Sequence, residues 1–165
     1  MENRCCIAWS PAVAFEGFED LYFAPGFNNE DSPEYHSYVF LWWLDNPPRP
    51  LTAAELESAM VTYFKGLAEQ RGHNNNFNPD LSRAQAHYSR ASGSSTFGGA
   101  AATTFAGIVT LYDRHGKVLS LHSEVWASYS ADGHMAVFFA MSKEPRPSAL
   151  WPQLDAIRDG FRYRR

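Results

Sequence analysis

The segment at residues 35–44 is strand-forming and apolar on both of its faces. Alternate side chains of a strand point to opposite sides. Here they form two apolar sets, which are Tyr38, Phe40 and Trp42 on one side and Val39, Leu41 and Trp43 on the other. Residues 134–142 share this property, whereas a half-solvated antiparallel strand would alternate apolar with polar residues. We therefore predict a sheet covered on both faces, by helices on opposite sides, by the aromatic N-terminal segment or by a second subunit.

Two segments have the periodicity of amphipathic helices. The first, residues 52–71, begins with a capping-box pattern formed by Thr52 and Glu55, and Gly72 is expected to end it. The second follows Ser148, its predicted N-cap. Their apolar stripes are Leu56, Met60, Tyr63, Phe64 and Leu67 in the first helix and Leu150, Leu154, Ile157 and Phe161 in the second. Each stripe predicts that its helix packs on the sheet.

The remaining regular segments read as strands, because they are rich in β-branched and aromatic residues and are bounded by turn residues. In chain order they are one or two strands within residues 9–23, then 35–44, 81–90, 103–112, 117–129 and 134–142. Short turns join antiparallel neighbours, so the last four should form a meander. The Gly- and Ser-rich residues 91–102 are expected to be a mobile connection within it.

These elements predict one α+β domain over residues 1–165. Its antiparallel sheet has about six strands, and two helices pack on it as an α/β/α sandwich. The element order resembles the Mog1/PsbP-like α/β/α sandwich, through the helix at 52–71, the strands between 81 and 142, and the C-terminal segment 151–161. The resemblance is one of pattern, without a shared functional motif. It implies a non-catalytic accessory, chaperone-like or envelope-associated binding domain.

Charge and hydropathy limit the partners. The formal net charge of -4 lacks the clustered basic character of a protein that binds nucleic acid or anionic membranes. The longest apolar run, 38–44, is far shorter than the roughly 18 residues of a membrane span. We therefore expect a soluble protein that binds an unknown protein or small ligand, with no nucleic acid and no membrane span. A homodimer is one way to cover the second face of the sheet.

The N-terminal residues bear on the compartment and on redox chemistry. Residues 1–4 are polar and show no secretory leader, so a cytoplasmic protein is one of two open alternatives. If Met1 replaces a removed leader, the protein is periplasmic or secreted. Cys5 and Cys6 are adjacent, and an ordinary disulfide does not suit adjacent residues. We interpret them as two free thiols, with pairing to another chain or segment as the alternative.

No catalytic or cofactor motif is complete in this sequence. Residues 93–97 begin like G-x-S-x-G but end in Phe97, and Gly98-Gly99 is followed by Ala100 where a P-loop needs Gly-Lys-Ser/Thr. His-Glu-x-x-His and G-x-G-x-x-G are also absent. The sequence therefore predicts no cofactor and no metal centre, and it favours a non-enzymatic binding or accessory domain.

One strand face departs from the apolar pattern. On the strand 117–129, alternation places Ser120, His122, Glu124, Trp126 and Ser128 on one side. A carboxylate beside an imidazole can act as a general base with an orienting partner, or supply two metal ligands. It can equally be a solvent-facing stripe that a neighbouring Arg or Lys satisfies. We predict a binding surface at His122, Glu124 and Trp126. The alternative is a small metal-dependent or acid/base enzyme that uses His122 and Glu124.

Overall fold

The computed structural model describes residues 5–6, 13–47 and 49–163 of the chain. Within these residues the chain forms two α-helices and eight strands, which confirms the predicted α+β class. The strands are β1 (Cys5–Cys6), β2 (Gly17–Phe23), β3 (Tyr38–Leu44), β4 (Gln85–Arg90), β5 (Ser95–Phe97), β6 (Ala100–Tyr112), β7 (Val118–Tyr129) and β8 (Met135–Ser142). The helices are α1 (Ala53–Asn75) and α2 (Trp151–Gly160), and a 3-10 turn at Leu81–Arg83 precedes β4.

All eight strands belong to one antiparallel sheet with the order β1-β2-β3-β8-β7-β6-β4. β5 pairs with the start of β6, on the same edge as β4. The predicted meander is confirmed, since β4, β6, β7 and β8 are neighbours in this order. The strand predicted at 35–44 is β3, which begins only at Tyr38. It lies against β8, where Phe40 pairs with Phe139 and their rings stack at 4.2 Å between centroids. The two strands that are apolar on both faces therefore lie side by side within the sheet.

Each face of this strand pair carries its own core. On one face Phe40 and Trp42 pack with Met60 and Tyr63 of α1. On the other face Val39 and Phe138 pack with Trp151 and Leu154 of α2. All eight residues of β8 are buried. The prediction of a sandwiched sheet is confirmed, and helices on opposite sides provide the cover.

The first helix begins as predicted and ends later than predicted. The capping box is present, with the Glu55 backbone N–H donating to the Thr52 hydroxyl and the Thr52 backbone N–H donating to the Glu55 carboxylate. The helix continues through Gly72 to Asn75, and Asn76 ends it in the left-handed conformation that asparagine tolerates. Gly72 serves packing instead, because a Cβ there would lie 2.7 Å from the Pro79 ring.

The second helix lacks the predicted cap. It begins at Trp151, its N-cap position is Leu150, and no side chain caps it. The Ser148 hydroxyl is buried without a hydrogen-bond partner in the described part of the chain. The Ser148 carbonyl accepts the Trp151 backbone N–H instead. The prediction of a Ser148 cap was therefore wrong, because the backbone turn that precedes α2 bonds the first free N–H.

The predicted connection at 91–102 does join β4 to the next long strand, and it contains regular structure that the sequence did not predict. This segment contains β5, and Gly98-Gly99 forms the turn into β6 with positive φ at both residues. Phe97 is buried and stacks on Phe161 at 4.7 Å. One buried aromatic side chain thus anchors a segment that is otherwise small and polar.

The N-terminal predictions are met in part. β2 lies within the predicted 9–23 interval and begins at Gly17. β1 was not expected, and its backbone pairs Cys5 with Glu19. Residues 9–12 and the thiols of Cys5 and Cys6 lie outside the part that the structure describes. The predicted free thiols, and any predicted strand within residues 9–12, therefore stay predictions.

A carboxyl group is buried in the core under α1. Glu19 of β2 is only 4% exposed. Its side chain accepts the indole N–H of Trp42 at 3.1 Å and is hydrogen-bonded to the Tyr63 hydroxyl. Burial raises the pKa of Glu19 above its ordinary value, although both hydrogen bonds oppose the shift. The core therefore favours the protonated form of this acid.

We predict that Glu19→Gln becomes relatively more stable than the wild type as pH rises from about 5 to about 8. The folded protein holds the Glu19 proton to a higher pH than the unfolded chain does, so the contribution of Glu19 to stability is lost as pH rises through its folded pKa. Glutamine keeps an acceptor oxygen and cannot ionise. Urea unfolding of both proteins across this range measures the difference. A difference that is constant with pH, or one of opposite slope, would contradict the assignment.

Candidate functional site

The predicted polar face of β7 lies on the α2 side of the sheet. The helix α2 packs on β3 and β8 and leaves β4, β6 and the first half of β7 uncovered. His122 is half-buried on this open half, paired across the sheet with Ile108 and Ser142. Among the described residues, the His122 side chain makes no hydrogen bond or ion pair. His122 is therefore placed where a partner can reach it, on a flat surface.

Glu124 is held by an arginine from the segment that leads into α2. Arg146 donates from Nε to Oε1 at 2.5 Å and from Nη2 to Oε2 at 2.8 Å, a bidentate pair. The same guanidinium donates to both carboxylate oxygens of Asp155 in α2, at 2.9 and 2.7 Å. Hydrogen bonding to Asp155 and Glu124 raises the pKa of Arg146 above its ordinary value, against the effect of burial. Glu124 thus belongs to a network that ties α2 to the sheet.

Trp126 belongs to the same network. Its side chain is 8% exposed and lies under the Arg158 guanidinium, 4.3 Å from the ring centroid. Arg158 also pairs with Asp155 at 2.9 Å and with Asp159 at 2.8 Å. The Arg146 guanidinium in turn covers Trp151 at 4.6 Å. These alternating charges and indoles fix the position of α2.

The structure therefore brings Glu124 and Trp126 together beneath α2 and leaves His122 outside that cluster. The Glu124 carboxylate is paired with an arginine, as expected for a solvent-facing strand face. The arginine comes from a loop and not from a neighbouring strand. Metal binding or base catalysis by Glu124 would require the Arg146 pair to open. In the described part of the chain, no group of three or more His, Cys, Asp or Glu side chains is arranged to hold a metal ion. The predicted binding role of His122, Glu124 and Trp126 stays a prediction.

An apolar groove lies on the other side of α2. It has a volume of about 570 Å³ and runs between α2 and the strands β2 and β3. The lining residues are Asp20, Leu21, Tyr22, Val39, Phe40, Leu41, Phe138, Ile157, Gly160 and Phe161. Because α2 lies over β3, β8 and Trp126 of β7, its flank and the neighbouring part of β2 remain open between them. The groove is a direct result of where α2 is anchored.

Large apolar side chains around this groove are unusually exposed. On the groove side Tyr22 is 57% exposed and Ile157 37%, whereas the exposed side chains of Leu21 and Phe23 lie on the opposite face of β2. Single exposed apolar residues are common, whereas a contiguous group beside a groove marks an interaction site. We call this surface the β2–α2 groove, defined by the lining residues above. No sequence motif predicted this groove, although the apolar run at 21–23 lies within a predicted strand.

Another concave region lies at the end of the sheet, with a volume of about 650 Å³. Trp43, Tyr163 and the Gly98-Gly99 turn line it. The Trp43 ring stacks on His134 at 5.4 Å and on Phe18 at 6.2 Å, and Tyr163 meets its edge at 5.6 Å. Three rings thus pack around the indole of Trp43.

A buried polar cluster lies near the β6–β7 turn. Asp113 is fully buried and accepts the Tyr35 hydroxyl and the backbone N–H groups of His115 and Lys117, each at 2.8 Å. His36 beside it is buried, and desolvation lowers its pKa to about 4, with the Arg71 charge adding to the effect. Two of the hydrogen bonds that Asp113 accepts lie within the β6–β7 turn, and the third links the turn to Tyr35. This cluster closes the turn and needs no ligand to explain it.

Comparison with known proteins adds no family assignment. No protein-family model matches the chain, and no curated protein matches it. The resemblance to the Mog1/PsbP-like sandwich therefore stays a prediction from element order. In the residues that the structure describes, neither helix is both long enough and apolar enough to cross a membrane.

We predict that Glu124 and Arg146 stabilise the fold together. Glu124→Gln and Arg146→Lys should each lower the free energy of unfolding by about 1 kcal/mol, because lysine lacks the planar fork that binds both carboxylate oxygens. A double-mutant cycle should give a coupling of about 1 kcal/mol. The matched control is Glu30 with Lys117, an exposed pair 3.5 Å apart, for which we expect coupling near zero. Equal coupling in both pairs would refute a structural role for Glu124.

Proposed function

We propose that this protein is a non-enzymatic binding domain that contacts an apolar ligand or partner through the β2–α2 groove. The observation that supports the proposal most strongly is the pair of exposed side chains Tyr22 and Ile157 along an open apolar groove. Burying large apolar side chains drives folding, so leaving two of them beside a groove costs free energy that binding recovers.

The size of the groove is adequate for such a role. Fully burying one side chain of the size of Ile or Phe contributes about 1.5 to 3 kcal/mol before the entropic cost of association. A groove of about 570 Å³ lies within the range of pockets that hold small ligands or single side chains of a partner. The groove therefore offers enough apolar contact for specific association.

The chemistry of the lining favours binding over catalysis. Asp20 is the only charged residue among the lining residues, and they include no histidine, cysteine, serine or lysine. General acid–base or nucleophilic catalysis needs two or more such groups held in mutual reach. The alternative enzyme, based on His122 and Glu124, has no observation in its favour because Arg146 holds Glu124.

We predict that Ile157→Ser weakens binding of phenylnaphthylamine, a neutral apolar dye, by about fivefold to tenfold. The matched control is Ile108→Ser, since Ile108 is 39% exposed against 37% for Ile157 and lies on the open half of the sheet, away from the groove. This control should bind the dye like the wild type. Fluorescence titration measures the affinities, and urea midpoints verify that both variants are folded. Equal affinities in the two variants would reject the groove as the binding surface.

A further inference from the structure

The outer edge of β4 is occupied by a side chain and not by a strand. Among the described residues, β4 pairs with β6 on one side and with no strand on the other. On that outer side the Glu57 carboxylate of α1 accepts the Tyr88 backbone N–H at 2.6 Å. The carboxylate oxygen therefore takes the place that a carbonyl oxygen of a further strand would take. β4 itself contains neither lysine nor proline, the residues that commonly protect a sheet edge.

The segments outside the described part of the chain are far from this edge. Residues 1–4 and 7–12 adjoin β1, which lies six strand spacings, or about 29 Å, from β4. Fully extended, these segments span at most about 14 and 22 Å. Residues 164–165 follow Tyr163, which lies at the turn that begins β6. The pairing position of Tyr88 is about 24 Å further along that strand. The outer side of Tyr88 is thus beyond the reach of these segments.

The exposed backbone of β4 is self-complementary. Because the Tyr88 N–H points outward, the alternation of antiparallel pairing also turns the backbone groups of Ala86 and Arg90 outward. An antiparallel second copy of β4 centred on Tyr88 would pair Ala86 of each copy with Arg90 of the other. His87 would lie opposite Ser89 on the face toward α2. This register uses all three outward residues and places no two like charges opposite each other.

We propose that the Glu57 carboxylate protects β4 from pairing with β4 of a second copy of this chain. The carboxylate holds the Tyr88 N–H, which is the donor at the centre of the self-complementary register. Pairing would also bring two Glu57 carboxylates together at the two-fold axis, where like charges repel. The inference is independent of the β2–α2 groove, since β4 and β2 lie near opposite ends of the sheet.

Glu57→Ala tests this protection in the full-length protein. Alanine favours helix, so α1 is kept, and urea midpoints verify folding. In dilute variant, amide hydrogen exchange at Tyr88 should be at least about tenfold faster than in the wild type. Sedimentation equilibrium should then show a dimer whose dissociation constant is at least about tenfold lower than that of the wild type. In the dimer, protection should return at Ala86, Tyr88 and Arg90.

Three further variants provide the controls. Glu57→Gln keeps an acceptor oxygen and removes the charge, so it should match the wild type in Tyr88 exchange and in association. Glu69→Ala removes the same charge from α1, at a side chain that makes no hydrogen bond among the described residues, and should also match the wild type. Glu57→Ala combined with Arg90→Pro lacks one outward N–H and should return to the monomer.

Each other outcome overturns the proposal in a distinct way. Unchanged exchange at Tyr88 in Glu57→Ala would show that the carboxylate does not hold this N–H in solution. Fast exchange without dimers would show that the edge does not pair. Association of Glu57→Gln equal to that of Glu57→Ala would assign the protection to charge alone. Protection in the dimer away from residues 86–90 would place the association on another surface. The dye comparison of Ile157→Ser with Ile108→Ser decides the proposed function separately in every case.

Discussion

The double burial of β3 and β8 is the constraint on which the rest of the structure depends. These two neighbouring strands are apolar on both faces, and the stacked rings of Phe40 and Phe139 join them on the α1 side. A helix about 10 Å across covers about two strands spaced about 4.8 Å apart. On the α2 side one helix therefore covers this pair and little more, whereas on the other side α1 lies along β4 and β6 and reaches β3 through the Tyr63 side chain. The strands on either side of the pair are left to the solvent or to partners.

The two uncovered regions on the α2 side differ in chemistry. Toward β4 and β6 the sheet presents small and polar side chains such as Thr104, Thr110 and Ser120, which water solvates at little cost. Toward β2 it presents the apolar groove lined by Tyr22 and Ile157. The position of α2 creates both regions. We expect binding to gain free energy from the burial of apolar surface only at the groove beside β2. The Glu124–Arg146–Asp155 network maintains this division by fixing where α2 sits.

Sequence patterns predicted features that depend on local spacing, and they failed where tertiary contacts decide. The capping box of Thr52 and Glu55 and the two apolar faces of β3 involve only near neighbours in sequence. The end predicted at Gly72 was wrong because Asn76 takes the left-handed cap conformation one turn later. The strand β5 within the predicted mobile connection was missed because Phe161, far along the chain, stacks on Phe97.

The same distinction applies to the candidate site. Alternation on β7 correctly placed Glu124 and Trp126 on one face, but their arginine partners, Arg146 and Arg158, come from beyond β8. The groove depends on strand order, which periodicity does not encode. The run 21–23 showed apolar character without showing that β2 lies near the edge of the sheet.

Nitrogen-15 NMR of the protein titrated with phenylnaphthylamine locates the apolar binding surface residue by residue. We expect the largest amide shift changes on Tyr22, Leu41, Ile157 and neighbouring lining residues, with little change around His122 and Ile108. Shift changes centred on His122 and Ile108, with Tyr22 and Ile157 unaffected, would contradict this expectation and favour the polar half of the sheet as the functional surface.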